Sequence, residues 1–280
     1  MKLTAATRLY GVFGAPARHS LSPVLQNGWI RDHGLDAVYL AFEVAPERFE
    51  SALAGLLDAG LAGANVTLPF KERALAAATT ASAEARAAGA ANTLFPGPDG
   101  LHADNTDGLG FLLDLDQRAP GWQSAGPVAV VFGSGGAARG IASALARQPG
   151  RIVRLVARNA GTASQLAGDL GLPPEAVFAW DQAGAALDGA GLAVNATSIG
   201  LKGEGALTPD FRGMSPGGVV YDTVYVPRQT AFLAAAEAAG RASLSGLGML
   251  AGQGAIAFER WFGIRPDLAT GLARLEAELT

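Results

Sequence analysis

The sequence predicts an α/β protein of two domains, and three observations support this fold class. Residues 128–132 (VAVVF) form an apolar run without alternation, which is typical of a strand buried on both faces of a parallel sheet. A glycine-rich turn follows directly, and residues 137–147 have the pattern of a helix. Alternating strand and helix patterns come before this unit and end in a linker-like segment, APGWQSAGP at residues 119–127. We therefore expect an α/β domain with a mainly parallel sheet, followed by a Rossmann-like domain.

Before the linker, predicted strands alternate with predicted helices. Strands are expected at residues 9–14, 37–43, 62–66, 92–95 and near 101. Helices are expected at residues 23–33, at 46–59, from about 71, and at 108–117. Ser22 followed by Pro23 predicts a serine N-cap with a proline in the first turn of the first helix.

After the linker, the strand–helix pattern begins again. Strands are expected at residues 128–132, 152–156, 176–180, 192–195 and 219–222, with helices between them. Residues 249–279 have a helical pattern, and helices late in a chain can pack back on the first domain. We therefore predict a first domain of residues 1–108 joined by 249–280, and a second of residues 109–248.

The composition argues against several classes of function. A formal net charge of −4 gives no electrostatic basis for binding nucleic acid or an anionic membrane. The sequence contains no cysteine, which excludes disulfides, thiolate metal sites and cysteine nucleophiles. Its three histidines show no metal-ligand spacing, and no apolar run is long enough for a signal peptide or a membrane span. We therefore expect a cytoplasmic protein that uses no metal.

The glycine turn after the strand at residues 128–132 fits a dinucleotide-binding pattern. Gly133, Gly135 and Ala138 match the spacing G-x-G-x-x-G/A. In that pattern the first glycine permits a sharp turn, the second admits a pyrophosphate, and the third position keeps helix and strand close. Backbone N–H groups at the positive end of the following helix bind the phosphates. Glycine-rich turns also occur without a ligand, but the strand before and the helix after favour a dinucleotide.

The end of the next predicted strand favours NADP over NAD. An NAD-binding unit carries an acidic residue about 20 residues after the glycines, where it accepts from the ribose 2′-OH. Here Arg158 stands at that position, and no acidic residue occurs before Asp169. The planar fork of an arginine can bind a 2′-phosphate, whereas the alternative interpretation is a solvated surface arginine.

Polar residues cluster where loops are expected to follow strands in the first domain. Ser20, Ser22, Lys71, Asn92 and Asp107 all occupy such places. Taken singly, the serine at 22 and the aspartate are better explained as helix caps, the lysine as a solvated side chain, and the asparagine as a polar strand end. Their occurrence together beside a cofactor-binding domain favours a substrate site.

Eight segments of the chain resemble the motifs of the shikimate dehydrogenase family, in that family's order. They are GVFGAPARHSLSP (11–23), NVTLPFK (65–71), GAANT (89–93), DNTDG (104–108), GSGGAARG (133–140), NATSIG (195–200), DTVYVP (222–227) and GMLAGQGAIAFERW (248–261). Single motifs could arise by chance, but eight in sequence are highly specific. The resemblance implies NADPH-dependent reduction of 3-dehydroshikimate to shikimate, on the route to chorismate and the aromatic amino acids.

The resemblance also implies which residues form the sites. For the substrate it implies Ser20, Ser22 and Tyr225 at the carboxylate, Thr67, Asn92 and Gln253 at the ring hydroxyls, and Lys71 with Asp107 as the catalytic pair. For NADP it implies Gly133, Ser134, Gly135, Gly136 and Ala137 at the pyrophosphate, Arg158 at the 2′-phosphate, Gly246 near the nicotinamide, and Asn195 and Thr197 in the NATSIG motif. The first domain would then bind substrate and the second NADP. No metal is required, and a monomer and a homodimer both remain open.

The residue types of the implied catalytic pair suit ketone reduction. Hydride delivery to a ketone leaves a developing alkoxide, which needs a positive charge and a proton donor. Lys71 can supply both, and Asp107 beside it would orient the ammonium and a substrate hydroxyl. The two act as a coupled pair, so neither is named as the sole acid.

Several positions depart from the family pattern. The family's frequent N-R-T at the second strand end is Ala157-Arg158-Asn159 here, which makes the cofactor preference less secure. Ala103 and Gln26 stand where glycine and histidine are usual, and we expect both to be tolerated. Leu201 replaces a usual methionine of similar bulk and is expected only to reshape the nicotinamide pocket.

Two rival functions remain at this point. One is a quinate or quinate/shikimate dehydrogenase with relaxed use of NAD and NADP, which Ser20, Ser22 and the absent acid near Arg158 disfavour. The other is a non-catalytic NADP(H)-binding regulator, which the presence of both Lys71 and Asp107 disfavours.

Overall fold

A computed structural model describes residues 3–279, and the polypeptide forms two α/β units. One unit comprises the residues up to Thr106 together with those from Leu250 onward. The other comprises Asp107–Met249. Each unit has its own six-stranded sheet.

The helices and strands follow one another along the chain as follows. Up to residue 106 they are β1 (Arg8–Gly14), α1 (Ser22–Asp32), β2 (Ala37–Glu43), α2 (Phe49–Asp58), β3 (Leu61–Val66), α3 (Lys71–Ala77), β4 (Thr80–Ala81), α4 (Ala83–Ala88), β5 (Thr93–Gly97) and β6 (Gly100–Asp104). The second unit contains α5 (Asp107–Arg118), β7 (Val128–Phe132), α6 (Gly136–Ala146), β8 (Ile152–Ala157), α7 (Ala160–Asp169), β9 (Val177–Ala179), α8 (Ala183–Leu187), β10 (Ala190–Asn195), β11 (Val219–Asp222), α9 (Ala231–Ala238) and β12 (Ala242–Ser245). The last helices are α10 (Leu247–Phe262) and α11 (Leu268–Glu278).

The sheet of the first unit has the strand order β2-β1-β3-β5-β6-β4. β1 runs parallel to both β2 and β3, and β4 runs parallel to β6. β5 is antiparallel to β3 and to β6. Its direction relative to β6 follows from the short connection, since only Pro98 and Asp99 separate the paired residues Gly97 and Gly100. A two-residue connection joins antiparallel neighbours only. The predicted mainly parallel sheet is therefore confirmed except for β5.

The sheet of the second unit is parallel throughout, in the order β12-β11-β10-β7-β8-β9. Numbered along the chain within this unit, the strands have the order 3-2-1-4-5-6 of a dinucleotide-binding sheet. Ala129 and Val131 of β7 belong to one hydrophobic cluster, and Val128, Val130 and Phe132 belong to another. Both faces of β7 are thus covered, as its unbroken apolar run predicts. The sequence pattern did not reveal β12.

Two local expectations in the first unit are wrong. Ser22 is not the N-cap of α1 but its first residue; Leu21, whose apolar side chain cannot cap, precedes it. The Ser22 N–H is instead bound by Ser20 Oγ at 3.2 Å, so the loop itself satisfies this helix end. The single helix expected from about residue 71 is divided into α3 and α4 by β4, and Ser82 Oγ caps α4 by accepting from Ala85 N at 3.0 Å.

The C-terminal helices pack on the first unit, as the sequence predicts. Trp29 of α1 donates from Nε1 to Asp267 O at 3.3 Å and packs against Phe258 with ring centroids 5.8 Å apart. Gln26 Nε2 donates to Gly254 O at 3.0 Å. The chain therefore returns to its first core after completing the second unit. Within residues 3–279, none of the helices combines the length and apolar character that a membrane span requires.

Candidate active site and cofactor site

One edge of the first sheet gathers most of the predicted substrate residues. The last residues of β1 and β3 are neighbours, since Phe13 pairs with Val66. Asn92, which precedes β5, continues the same row: its carbonyl accepts from Val66 N at 2.8 Å and its N–H donates to Asp104 O at 3.0 Å. Because β5 is antiparallel, its amino end lies at the edge where β1, β3 and β6 have their carboxyl ends. Loops carrying Ser20, Ser22, Thr67, Lys71 and Asn92 all begin or end at this edge.

Asn92 and Gln253 are brought together in a buried group of amides and hydroxyls. Asn92 Oδ1 accepts from Thr106 N at 2.8 Å and from Thr93 Oγ1 at 3.0 Å. Asn92 Nδ2 donates to Thr106 Oγ1 at 3.1 Å and to Gln253 Oε1 at 3.5 Å. Thr106 Oγ1 also donates to Gln253 O at 3.1 Å. These contacts fix the orientation of both amides before any ligand arrives.

Tyr39 and Asn65 extend this group toward the serines. Asn65 Nδ2 donates to Asn92 O at 3.1 Å and to Thr93 Oγ1 at 3.2 Å. Tyr39 OH donates to Asn65 Oδ1 at 2.8 Å. Burial raises the pKa of Tyr39 well above its usual value of 10.0, opposed by a hydrogen bond with Ser22. Tyr39 is therefore a neutral donor beside the predicted carboxylate-binding serine.

The polar group includes four residues that sequence reasoning missed. Asn65, Thr93 and Thr106 lie inside the motifs NVTLPFK, GAANT and DNTDG, so the motifs contained a signal for all three. Tyr39 lies within a strand, where a tyrosine is ordinary, and no sequence pattern distinguished it.

Glu43 anchors the loop that carries Ser20 and Ser22. Its Oε2 accepts from Ala17 N at 3.1 Å, from Arg18 N at 3.2 Å and from Arg18 Nε at 3.0 Å. The hydrogen bond from Arg18, aided by that from Ala17, lowers the pKa of Glu43 to about 2. An ionised carboxylate at the end of β2 thus binds the backbone shortly before the serines.

Lys71 and Thr67 follow β3 at the same edge. Thr67 N donates to Phe13 O at 2.9 Å, and Lys71 O accepts from Ala91 N at 2.8 Å. Both side chains are half-buried. Lys71 is the first residue of α3, so its backbone is fixed both by the helix and by the segment that leads to Asn92.

Asp107 and Tyr225 belong to the second unit. Asp107 is the first residue of α5, directly after Thr106 in the chain, and it is buried. Tyr225 lies in the loop after β11, half-buried, and burial raises its pKa. The pairing of Lys71 with Asp107 and the closure of Tyr225 over the substrate stay predictions.

In the second unit, Gly133 occupies the switch point of the sheet. It follows β7, whose neighbours β8 and β10 lie on opposite sides. Its φ of +114° is a conformation that favours glycine. A Cβ at this position would lie 3.0 Å from Ala196 O and 3.2 Å from Thr197 Cγ2. Glycine is therefore required both by the backbone angle and by the approach of the loop after β10.

The next glycines leave space at the beginning of α6. Gly135 and Gly136 are exposed, and a Cβ on either would meet no atom within 4 Å among the residues described. Gly135 is the N-cap of α6, so the positive end of this helix faces that space without a capping side chain. Ala138 is fully buried in the core below. This arrangement fits a pyrophosphate, as the spacing predicts.

Arg158 follows β8 and is exposed. Across residues 3–279 it makes neither a hydrogen bond nor an ion pair, so its guanidinium is available to a ligand. Asp169, the first acidic residue after it, is the last residue of α7 and is paired with Arg139 at 2.7 Å. Asn159, which departs from the family pattern, caps α7 by accepting from Thr162 N at 3.2 Å. The site therefore suits a 2′-phosphate.

Asn195 is engaged entirely inside the second unit. Its Nδ2 donates to Asp222 Oδ1 at 2.9 Å and to Ile199 O at 3.2 Å. Its Oδ1 accepts from Thr197 N at 3.0 Å and from Thr197 Oγ1 at 2.7 Å. These hydrogen bonds involve the Asn195 side chain in shaping the loop after β10. Direct contact of Asn195 and of Thr197 with a cofactor stays a prediction. Sequence reasoning did not single out Asp222.

Gly246 lies where two backbone segments approach closely. A Cβ at this position would lie 2.1 Å from Thr223 O, which no side chain could tolerate. Gly246, which is predicted to lie near the nicotinamide, therefore packs directly against the segment that follows β11.

The glycine turn at the switch point of a 3-2-1-4-5-6 sheet defines the class of Rossmann-type α/β proteins. Family models narrow the class. The model of the shikimate dehydrogenase substrate binding domain matches residues 12–94, and that of the shikimate 5'-dehydrogenase C-terminal domain matches residues 246–276.

Individual relatives agree with the models over nearly the whole chain. A shikimate dehydrogenase (NADP(+)) of Rhodospirillum rubrum is 45% identical over 96% of this chain and 97% of its own. A shikimate 5-dehydrogenase of Thermus thermophilus, solved in complex with NADP(H) and shikimate, is 35% identical with a TM-score of 0.86, covering 96% of this chain and 99% of its own. A 5-ketofructose reductase of Gluconobacter is 31% identical with a TM-score of 0.84, covering 98% and 100%. The chain belongs to the shikimate dehydrogenase family.

Proposed function

We propose that the protein is an NADP-dependent shikimate dehydrogenase, which reversibly reduces 3-dehydroshikimate to shikimate with NADPH. The observation that carries this proposal is the single sheet edge at which the serine loop, Lys71 and the Asn92–Gln253 amide pair meet. Such an edge offers donors for a carboxylate and for several hydroxyls, together with one cation.

We assign the substrate's carboxylate to Ser20 and Ser22, with Tyr225 at the same end. Ser20 Oγ and the Ser22 N–H are already bound to each other, and Glu43 anchors their loop. Small hydroxyl groups on an anchored loop bind a carboxylate at low entropic cost.

We assign the ring hydroxyls to Thr67, Asn92 and Gln253. Thr106 fixes the side-chain amide of Asn92, and hydrogen bonds with Asn92 Nδ2 and Leu250 O fix that of Gln253. A ligand that lacks a matching hydroxyl would leave one of these buried polar groups unpaired, which gives the site its selectivity.

The residues of the second unit fit NADP. The space before α6 would take the pyrophosphate, Arg158 the 2′-phosphate, and Thr197 and Gly246 would lie at the nicotinamide end. When bound, the reduced cofactor supplies the hydride for the substrate ketone.

Lys71 would then stabilise the negative charge that develops on the substrate oxygen and deliver the proton that completes the alcohol. Asp107 would orient the Lys71 ammonium and accept a hydrogen bond from a neighbouring substrate hydroxyl. The proton belongs to the pair, because two interacting groups titrate jointly.

A steady-state assay tests the proposal against its rivals. Shikimate and quinate are each oxidised with NADP+ and with NAD+, and 5-ketofructose reduction with NADPH is measured beside them, since a relative of similar fold is named for it. We expect the highest kcat/KM with shikimate and NADP+. A preference for quinate with NAD+, or for 5-ketofructose, would assign another substrate, and no turnover at all would favour the NADP(H)-binding regulator.

We also propose that the enzyme is cytoplasmic and is a monomer or a homodimer. Cell fractionation tests its location, and size-exclusion chromatography tests its oligomeric state.

A further inference from the structure

A buried carboxylate connects three segments at the carboxyl edge of the second sheet. Asp222 is the last residue of β11 and is fully buried. Its Oδ1 accepts from Asn195 Nδ2 at 2.9 Å and from Val224 N at 3.0 Å. Its Oδ2 accepts from Thr230 Oγ1 at 2.6 Å. One side chain thus binds the end of β10, the loop after β11 and the N-cap of α9.

The first of these contacts reaches the glycine turn. Asn195 holds residues 195–199 through Thr197 and Ile199. That loop lies against Gly133 so closely that an added Cβ would be 3.0 Å from Ala196 O. A shift of Asn195 would therefore move the surface beside the predicted pyrophosphate site.

The second contact reaches the predicted nicotinamide end. Val224 N binds Asp222, and Thr223 N donates to Asn195 O at 2.9 Å. The Thr223 carbonyl is also the atom against which Gly246 packs. The segment that leads to Tyr225 is therefore positioned from the same carboxylate.

The contacts require an acceptor at residue 222. All three partners are donors: an amide N–H, a backbone N–H and a hydroxyl. Burial raises the pKa of Asp222, and the three hydrogen bonds to its carboxylate oppose that rise. An asparagine of the same shape would place its own N–H groups against one or two of these donors and break the contacts.

We propose that Asp222 is a positioning residue for the nicotinamide half of the cofactor; this inference rests on the proposed function. A dinucleotide lies across the switch point with one half on each side of β7. Arg158 follows β8, so the adenosine half belongs to that side. The segments organised by Asp222 follow β10 and β11, on the other side. Asp222 therefore acts on NADP affinity and turnover without touching the adenosine site.

The experiment compares two ligands on the wild-type protein and on variants. NADP+ occupies both halves of the site, whereas adenosine 2′,5′-bisphosphate occupies the adenosine half alone. We expect Asp222→Asn to weaken NADP+ binding by about tenfold or more, the loss expected for breaking buried hydrogen bonds to a charged group. Affinity for adenosine 2′,5′-bisphosphate should change far less, because this ligand carries only one of the two pyrophosphate phosphates and lacks the nicotinamide half. The KM for NADP+ should rise and kcat should fall.

Matched variants separate positioning from loss of stability. Thr230→Val removes one of the three donors to Asp222. It should weaken NADP+ binding more than adenosine 2′,5′-bisphosphate binding, but by a smaller factor than Asp222→Asn does. Thr230→Ser keeps the hydroxyl and should bind NADP+ as the wild type does. Trp122→Phe removes the part-buried hydrogen bond of 2.7 Å from the buried Trp122 side chain to Asp116, before β7 and so at the opposite end of the sheet. It should lower stability and leave the ratio of the two affinities unchanged.

Two outcomes overturn the inference: equal loss of both ligands in Asp222→Asn, or no loss of either. If Asp222→Asn does not fold, the ratio of the NADP+ and adenosine 2′,5′-bisphosphate affinities in Thr230→Val decides between the outcomes. The proposed function fails separately, through a wild-type protein that binds NADP+ but does not oxidise shikimate.

Discussion

Lys71 is the residue on which the proposed chemistry depends most directly. It is the only cation among the side chains that we assign to the substrate, and its need is greatest in the transition state. We expect Lys71→Ala to lower kcat by about 10²–10⁴-fold, the contribution of a positioned proton donor, while shikimate still binds. Rapid-mixing kinetics with a separate binding titration check both parts. Glu72→Ala, an exposed neighbour on α3, is the control and should keep full activity. Turnover near that of the wild type in Lys71→Ala would remove the lysine from the mechanism.

Arg158 carries the choice between NADP and NAD. Its side chain is exposed and makes neither a hydrogen bond nor an ion pair within the described part of the chain, so its removal should cost little stability. We expect Arg158→Ala to weaken NADP+ by about 10- to 100-fold, the range for a charge-assisted contact, and NAD+ far less. Calorimetric titration of both dinucleotides measures the difference. Arg212→Ala, an exposed arginine of the same unit paired with Asp210, is the control. Equal losses for both dinucleotides would contradict the assignment.

At the scale of elements, the sequence predicted those features that depend on local residue type. The apolar run of β7 and the glycines after it determine a buried strand, a turn and a helix within a few residues. The direction of β5 depends on a two-residue connection to β6, and the start of α1 depends on how Ser20 satisfies the Ser22 N–H. Such features follow from contacts that periodicity does not describe.

The candidate site also contains residues that local motifs predict and residues that only contacts between distant segments reveal. Motif spacing placed Asn92 and Lys71, because each follows or precedes a recognisable strand. Tyr39 could not be found in this way: its role comes from the pairing of β2 with β1 and from a hydrogen bond to Asn65, 26 residues later. Likewise, the importance of Asp222 is visible only once β10 and β11 lie side by side.

Glu43 connects the end of β2 to the serine loop, and its effect on stability should depend on pH. Its pKa is about 2 in the folded protein, below the usual 4.5, so protonation favours the unfolded chain. The contribution of ionised Glu43 to the free energy of unfolding should be complete above about pH 4.5 and should disappear as the pH falls toward 2. The difference in the free energy of unfolding between wild type and Glu43→Gln should shrink over that window, measured by urea unfolding.

A matched variant tests whether Glu43 also serves the substrate. Asp210 has a pKa of about 2 because of Arg212, but it lies in the second unit. Asp210→Asn should show a similar loss of the stability difference, between about pH 3.8 and pH 2, without changing the KM for shikimate. Glu43→Gln should raise that KM at pH 7, because the loop of Ser20 and Ser22 loses its anchor. Equal KM values in both variants would limit Glu43 to stability.

At the scale of the whole molecule, the two units have separate cores. The first carries most of the candidate substrate residues, and the second carries the candidate cofactor residues together with Asp107 and Tyr225. The first core is built around β1 and β3, and the second covers both faces of β7. The chain enters the second unit at Asp107 and returns to the first at Leu250. Each ligand should therefore stabilise mainly the unit whose loops bind it.

Hydrogen exchange of the full chain can resolve this division. At about 100 times its Kd, a ligand stabilises the competent state by about 2.7 kcal/mol, which slows exchange through the competing open state about 100-fold. We expect NADP+ alone to protect mainly residues 133–139 and 195–199, and shikimate alone to protect mainly residues 20–22, 65–71 and 92. In Arg158→Ala the protection by NADP+ at the same concentration should fall from about 100-fold to about two- to tenfold, while that by shikimate persists. Strongest protection by NADP+ at residues 65–71 instead would mean that the two ligands are assigned to the wrong units.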